Sequence, residues 1–140
     1  FAIGKRNKKS FLMSVNNSIQ LSFFTALIIS LFYLIFFKEI INIITDVEIL
    51  RFLSYKHAIW IIIIPPIASF CYQLDGIFIG ASQTQDMRNG MMISVASFII
   101  LSIYTTKYFG NHGLWFSLAL FIALRSITLR YFFKNILKKF

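Results

Sequence analysis

Residues 21–37 read LSFFTALIISLFYLIFF, an unbroken apolar run whose hydroxyl interruptions, Ser22, Thr25 and Ser30, are small. A bilayer core about 30 Å thick is crossed by about 20 helical residues. With its flank from Phe11, this stretch predicts a membrane-crossing helix over 11–37. A barrel strand would alternate apolar and polar residues over about ten positions; this run does not alternate and is too long. A helix also satisfies its own backbone hydrogen bonds, which lipid cannot do. The same reasoning applied along the chain predicts further helices over 57–81, 90–107 and 113–133. The fold class expected is therefore all-α, a polytopic membrane protein with four transmembrane helices.

Composition agrees. Of 140 residues, 58% are hydrophobic and only 14% charged, and 17 are phenylalanine. Soluble domains run nearer 45–50% apolar and about 25% charged. A soluble domain and a disordered chain are both excluded, and the natural solvent is the lipid bilayer. The connections are short, with no linker that would separate soluble domains.

The net charge is +9. The basic residues sit between apolar runs and near the ends, with no polar stripe of interleaved aromatics, so the chain is not read as a nucleic-acid binder. They report topology instead. Four crossings put both ends on one side. That side collects nine basic residues: Lys5, Arg6, Lys8, Lys9, Arg88, Arg130, Lys134, Lys138 and Lys139. The opposite side collects Lys38, Arg51, Lys56 and Lys107. This predicts a multi-pass membrane protein with both ends cytoplasmic. Trp60, Tyr104, Tyr108 and Trp115 fall near the outer surface as an aromatic belt would, and Tyr131 near the inner one. The opening Phe1-Ala2-Ile3-Gly4 reads as the tail of an earlier helix, so a longer protein is expected.

Thr45-Asp46-Val47-Glu48 fits a capping box and predicts a helix start near Asp46 at the outer interface, running into the second span. Pro65 and Pro66 interrupt that span, where each removes a backbone donor, and predict a kink or hinge. Gly76 and Gly80 stand at GxxxG spacing, which predicts close helix packing. The pattern Gly110-Asn111-His112-Gly113 reads as a turn.

Two ionisable residues lie inside spans, Asp75 and Arg125. A charge in the bilayer is costly and faces a partner or a watery cavity. Counting about seven and eight residues to the ends of their spans, both lie about 10–12 Å from the inner surface at 1.5 Å per residue. Matched depth predicts an Asp75–Arg125 ion pair, which reads first as a structural tie between helices and second as a coupling device. His57 and His112 are placed on different outer loops with no third ligand, so no metal site is expected. Cys71 is a lone thiol. No nucleophile elbow, phosphate loop, HExxH or facing carboxylate pair is present, so the chain is not read as an enzyme, and it calls for no cofactor.

Leu74-Asp75-Gly76-Ile77-Phe78-Ile79-Gly80-Ala81, followed by Thr84-Gln85-Asp86-Met87-Arg88-Asn89, resembles the tenth helix and following loop of multidrug and toxin extrusion (MATE) transporters. The likeness is to their DNA-damage-inducible protein F-like branch. Ala2-Ile3-Gly4, Thr45-Asp46-x-x-Ile49 and Gly110-Asn111-His112-Gly113-Leu114-Trp115 with Arg125 and Thr128-Leu129 resemble other points of that branch in the same order. The resemblance implies a C-terminal fragment, helices nine to twelve, forming part of the second six-helix lobe of a twelve-helix antiporter. Such a protein exports cationic amphipathic drugs or toxins in exchange for Na⁺ or H⁺, the coupling ion. The acidic residue most tied to coupling in that branch lies on the first helix of the first lobe, in the missing N-terminal part, so Asp75 is not given that role. Two alternatives stand: a lipid-linked oligosaccharide flippase of the same superfamily, and a small non-transporting membrane subunit.

Overall fold

The computed structural model describes residues 7–138, which form four helices. They are α1 (Lys8–Ile44), α2 (Glu48–Gly80), α3 (Thr84–Phe109) and α4 (Asn111–Leu137). There is no strand among the described residues. All four helices are long and apolar enough to cross a membrane. Lys5, Arg6, Lys139 and the opening Phe1-Ala2-Ile3-Gly4 lie outside the described residues.

The helices extend beyond the apolar runs that announce them. Hydropathy marks only the section in hydrocarbon; the helix continues into the interface on polar residues. At 37 residues and 1.5 Å each, α1 is about 55 Å long against a core of about 30 Å. Its start is fixed by Asn7, whose side chain accepts from the Ser10 N–H at 3.0 Å, satisfying one of the orphan donors of a first turn.

The α1–α2 corner departs from the expected capping box. Thr45 closes α1, its N–H donating to the Ile41 carbonyl at 3.1 Å. Val47 is the N-cap of α2 and makes no side-chain cap bond. Thr45 therefore ends one helix rather than starting the next, because only two residues separate it from Glu48. Arg51 holds the corner instead. Its Nε donates to the Thr45 carbonyl at 2.7 Å, and its Nη2 donates to the Asn42 carbonyl and to Asp46 Oδ1 at 3.2 and 2.9 Å. A cation on the last carbonyls of a helix also opposes its macrodipole. From there α2 runs as one helix, with no separate interfacial piece.

The α3–α4 corner is tighter still. Only Gly110 separates the helices, at φ 57° and ψ −138°, a conformation that a side chain disfavours. Asn111, His112 and Gly113 already belong to α4, so the expected four-residue turn is a single-residue one.

The helices pack in the order α1, α2, α4, α3. At one end, Phe11 of α1, Phe78 of α2 and Ile136 of α4 share a core cluster that Met87 of α3 packs against. This terminal end therefore carries the start of α1, the α2–α3 turn and the finish of α4. Phe11 and Phe133 stack there at 6.1 Å. The cross-section inverts a soluble protein: large apolar side chains such as Phe24, Leu31 and Ile35 face outward, while the buried polar residues are Ser30, Ser94, Ser117 and Ser126. Small and hydroxyl residues let helix backbones approach where lipid offers no hydrophobic drive to association.

Candidate functional site: the intramembrane ion pair and its surroundings

Asp75 lies on α2, one helical turn beyond the buried Cys71 and next to the buried Leu74. Arg125 lies on α4 beside the buried Ser126. The packing of α2 on α4 brings the two together. Arg125 donates from Nη2 and Nε to Asp75 Oδ1, at 3.0 and 3.3 Å. Both bonds reach one oxygen, so the pair is not the parallel two-oxygen fork that Arg and carboxylate can form. The side chains are 11% and 16% exposed. Two charges withdrawn from water interact strongly, but their desolvation cost offsets much of that gain. Such a pair stabilises little on balance, yet losing one member leaves an uncompensated charge among apolar groups. Chemically the arrangement can tie two helices and fix their rotation.

Pro66 has a consequence that spacing alone does not reveal. Lacking an N–H, it leaves the Ile62 carbonyl without its helical donor. The buried Ser30 of α1 supplies one, its hydroxyl donating to that carbonyl at 2.6 Å. A neighbouring helix thus repairs the ladder, which is how proline is accommodated in a bilayer. Two to three turns further along, Ser22 of α1 donates to Gln73 Oε1 of α2 at 2.7 Å. The α2 helix stays continuous through Pro65 and Pro66.

Among the described residues, Gly76 and Gly80 make no close approach to another helix. A Cβ at either position would meet nothing within 4 Å. The rotation that turns Leu74 and Phe78 inward turns these glycines out. Close approach occurs instead between α3 and α4. A Cβ on Gly113 would run into the Thr105 carbonyl and lie 2.9 Å from Thr106 N, and one on Gly90 would come within 3.1 Å of Thr128 Oγ1. Thr105 Oγ1 is 2.6 Å from Ser117 Oγ across the same contact.

His57 and His112 stand on α2 and α4 rather than on loops, and they meet. Their rings stack at 4.3 Å. Trp60 Nε1 donates to His112 Nδ1 at 3.1 Å. Among the described residues no group of three or more His, Cys, Asp or Glu is placed to hold a metal. Sequence reasoning missed this cluster because Gly113 suggested a loop where the helix has already begun.

A family model, MatE, matches residues 1–106. That is well over half of the chain. The chain belongs to the MatE family. It is also 36% identical over 114 residues to DNA damage-inducible protein F of Escherichia coli (strain K12). That alignment covers 81% of this chain but 25% of the relative, so the chain spans about a quarter of the relative's length. No solved structure matches it. Family and fold agree: the chain belongs to MatE and is made of helices long and apolar enough to span a membrane.

Proposed function

We propose that the protein carrying this chain is a secondary active antiporter that moves cationic amphipathic compounds outward in exchange for Na⁺ or H⁺. The MatE match over residues 1–106 is the observation that carries this reading. The short alignment against the relative supports a second part, in which these four helices belong to one lobe of a longer transporter. In that setting a substrate binds between two lobes that open alternately to each side.

The roles proposed for these residues are supporting ones. The Asp75–Arg125 pair holds α2 against α4 while the lobe moves as a body. The Pro65-Pro66 segment, with its carbonyl repaired by Ser30, is where α2 can bend without breaking its contact with α1. The principal coupling carboxylate is expected on the part of the protein outside this chain. The preference of basic residues for the terminal end supports a cytoplasmic placement of both chain ends, in a bacterial inner membrane.

The test is drug accumulation in cells. Cells expressing the whole protein should accumulate less ethidium than cells without it, and dissipating the ion gradients should abolish the difference. Accumulation that ignores both expression and gradients would refute the proposal. The four helices alone, lacking a facing lobe, should move nothing.

A further inference from the structure

A groove of about 370 Å³ runs between α1, α2 and α4. Its walls are apolar and include Phe23, Pro66, Phe70, Ala123 and Ile127, and the one charged residue in its lining is Arg130. Ala123 and Arg130 share one face of α4, seven residues and so about 10 Å apart along the axis. Arg130 adjoins Leu129, part of the terminal-end core cluster, so the charge sits toward the membrane surface and the apolar walls run inward. Phe23 and Ile127, at 48% and 64% exposed, leave the groove open along one side of this chain.

Lys134 lies one turn beyond Arg130, on the same face, with its ammonium 5.7 Å from the Tyr131 ring. Neither basic side chain has a carboxylate within ion-pair distance among the described residues. Asp86 is the acid nearest that end, and it is engaged by Asn135, whose Nδ2 donates to Asp86 Oδ2 at 2.9 Å. The two cations are therefore available to something outside the chain.

We propose that this groove is a binding site for an anionic phospholipid, with the phosphate headgroup on Arg130 and Lys134 and an acyl chain along Phe23, Phe70 and Ile127. The pairing of an apolar channel with an uncompensated cationic mouth is complementary to that molecule. A free anion would leave the channel unfilled. A cationic amphiphile of the kind proposed for export would meet like charge at Arg130. The inference rests on the membrane setting and not on the transport reading, so it stands if the protein moves some other solute.

The test is native mass spectrometry of the whole protein in mild detergent with equal phosphatidylglycerol and phosphatidylcholine. The wild type should retain phosphatidylglycerol preferentially, by about fivefold for each basic residue engaged. Arg130→Gln with Lys134→Gln should bring the ratio near one, Arg130→Lys should preserve it, and Ile127→Trp should lower retention of both lipids by filling the channel. A wild type without preference, or a double variant that keeps it, would overturn the proposal. Unchanged retention in Ile127→Trp would overturn the acyl-chain assignment, and displacement by excess inorganic phosphate would mark a free-anion site instead.

Discussion

Replacing Asp75 by Asn should destabilise the protein far more than its modest change in shape suggests. The substitution leaves Arg125, 11% exposed, among the apolar side chains of α2 and α4 with no carboxylate to meet it. Removing one member of a buried pair costs about 3–5 kcal/mol, and an arginine at the centre of a membrane helix costs about 2.5–3.5 kcal/mol. Arg125 lies near the middle of α4, where both ranges apply, so about 3 kcal/mol, the value they share, is the expectation. That is about a hundredfold in the folded-to-unfolded ratio. Removing both charges, Asp75→Asn with Arg125→Gln, should recover most of the loss, because no orphan charge remains and the net worth of the intact pair is small. The assay is a double-mutant cycle on unfolding by sodium dodecyl sulfate, read by circular dichroism. The expected coupling energy is at least about 2 kcal/mol. A double variant as unstable as Asp75→Asn, or a single variant within about 0.5 kcal/mol of wild type, would refute the reasoning.

The same cycle design tests the repaired carbonyl. Ser30→Ala should cost about 1 kcal/mol in the wild type and much less in a Pro66→Ala background, where the Ile62 carbonyl regains a helical donor; equal costs in both would contradict the repair. Gly113→Ala should destabilise by about 1–3 kcal/mol or prevent folding, since the added methyl meets the Thr105 carbonyl, and full stability of that variant would show the α3–α4 contact to be looser than described. Arg51→Ala should cost about 1 kcal/mol by freeing the last carbonyls of α1, read in the same unfolding assay, and no loss would mean that water caps that corner equally well.

The helices were legible because lipid imposes a severe rule: every backbone group must be satisfied within the segment, so a long apolar run has one outcome. Asp75 and Arg125 stood out for the same reason, being the two ionisable residues inside spans. Their separation in sequence is fifty residues, but depth in a bilayer is nearly one-dimensional and can be counted. What could not be counted was rotation about each helix axis. Gly76-x-x-x-Gly80 marks a small-residue face, yet the packing of Leu74 and Phe78 turns that face outward. Ser30 and Ile62 meet because of the register between α1 and α2, which no spacing within one helix encodes. The end of α1 was misread because a threonine three residues before a glutamate fits a cap equally well as the close of one helix. His112 was assigned to a loop because Asn111 and Gly113 resemble turn residues, whereas only Gly110 adopts the positive φ that a turn demands.

The central claim is that this chain belongs to an exporter driven by a cation gradient. Its most direct test is to reconstitute the whole protein in liposomes and follow ethidium movement under an imposed Na⁺ or pH gradient. The account predicts movement opposite to the ion gradient that stops when an ionophore collapses it, and that persists in the folded Asp75→Asn, Arg125→Gln variant. Ethidium flux indifferent to both gradients, or none at all from correctly folded protein, would contradict it.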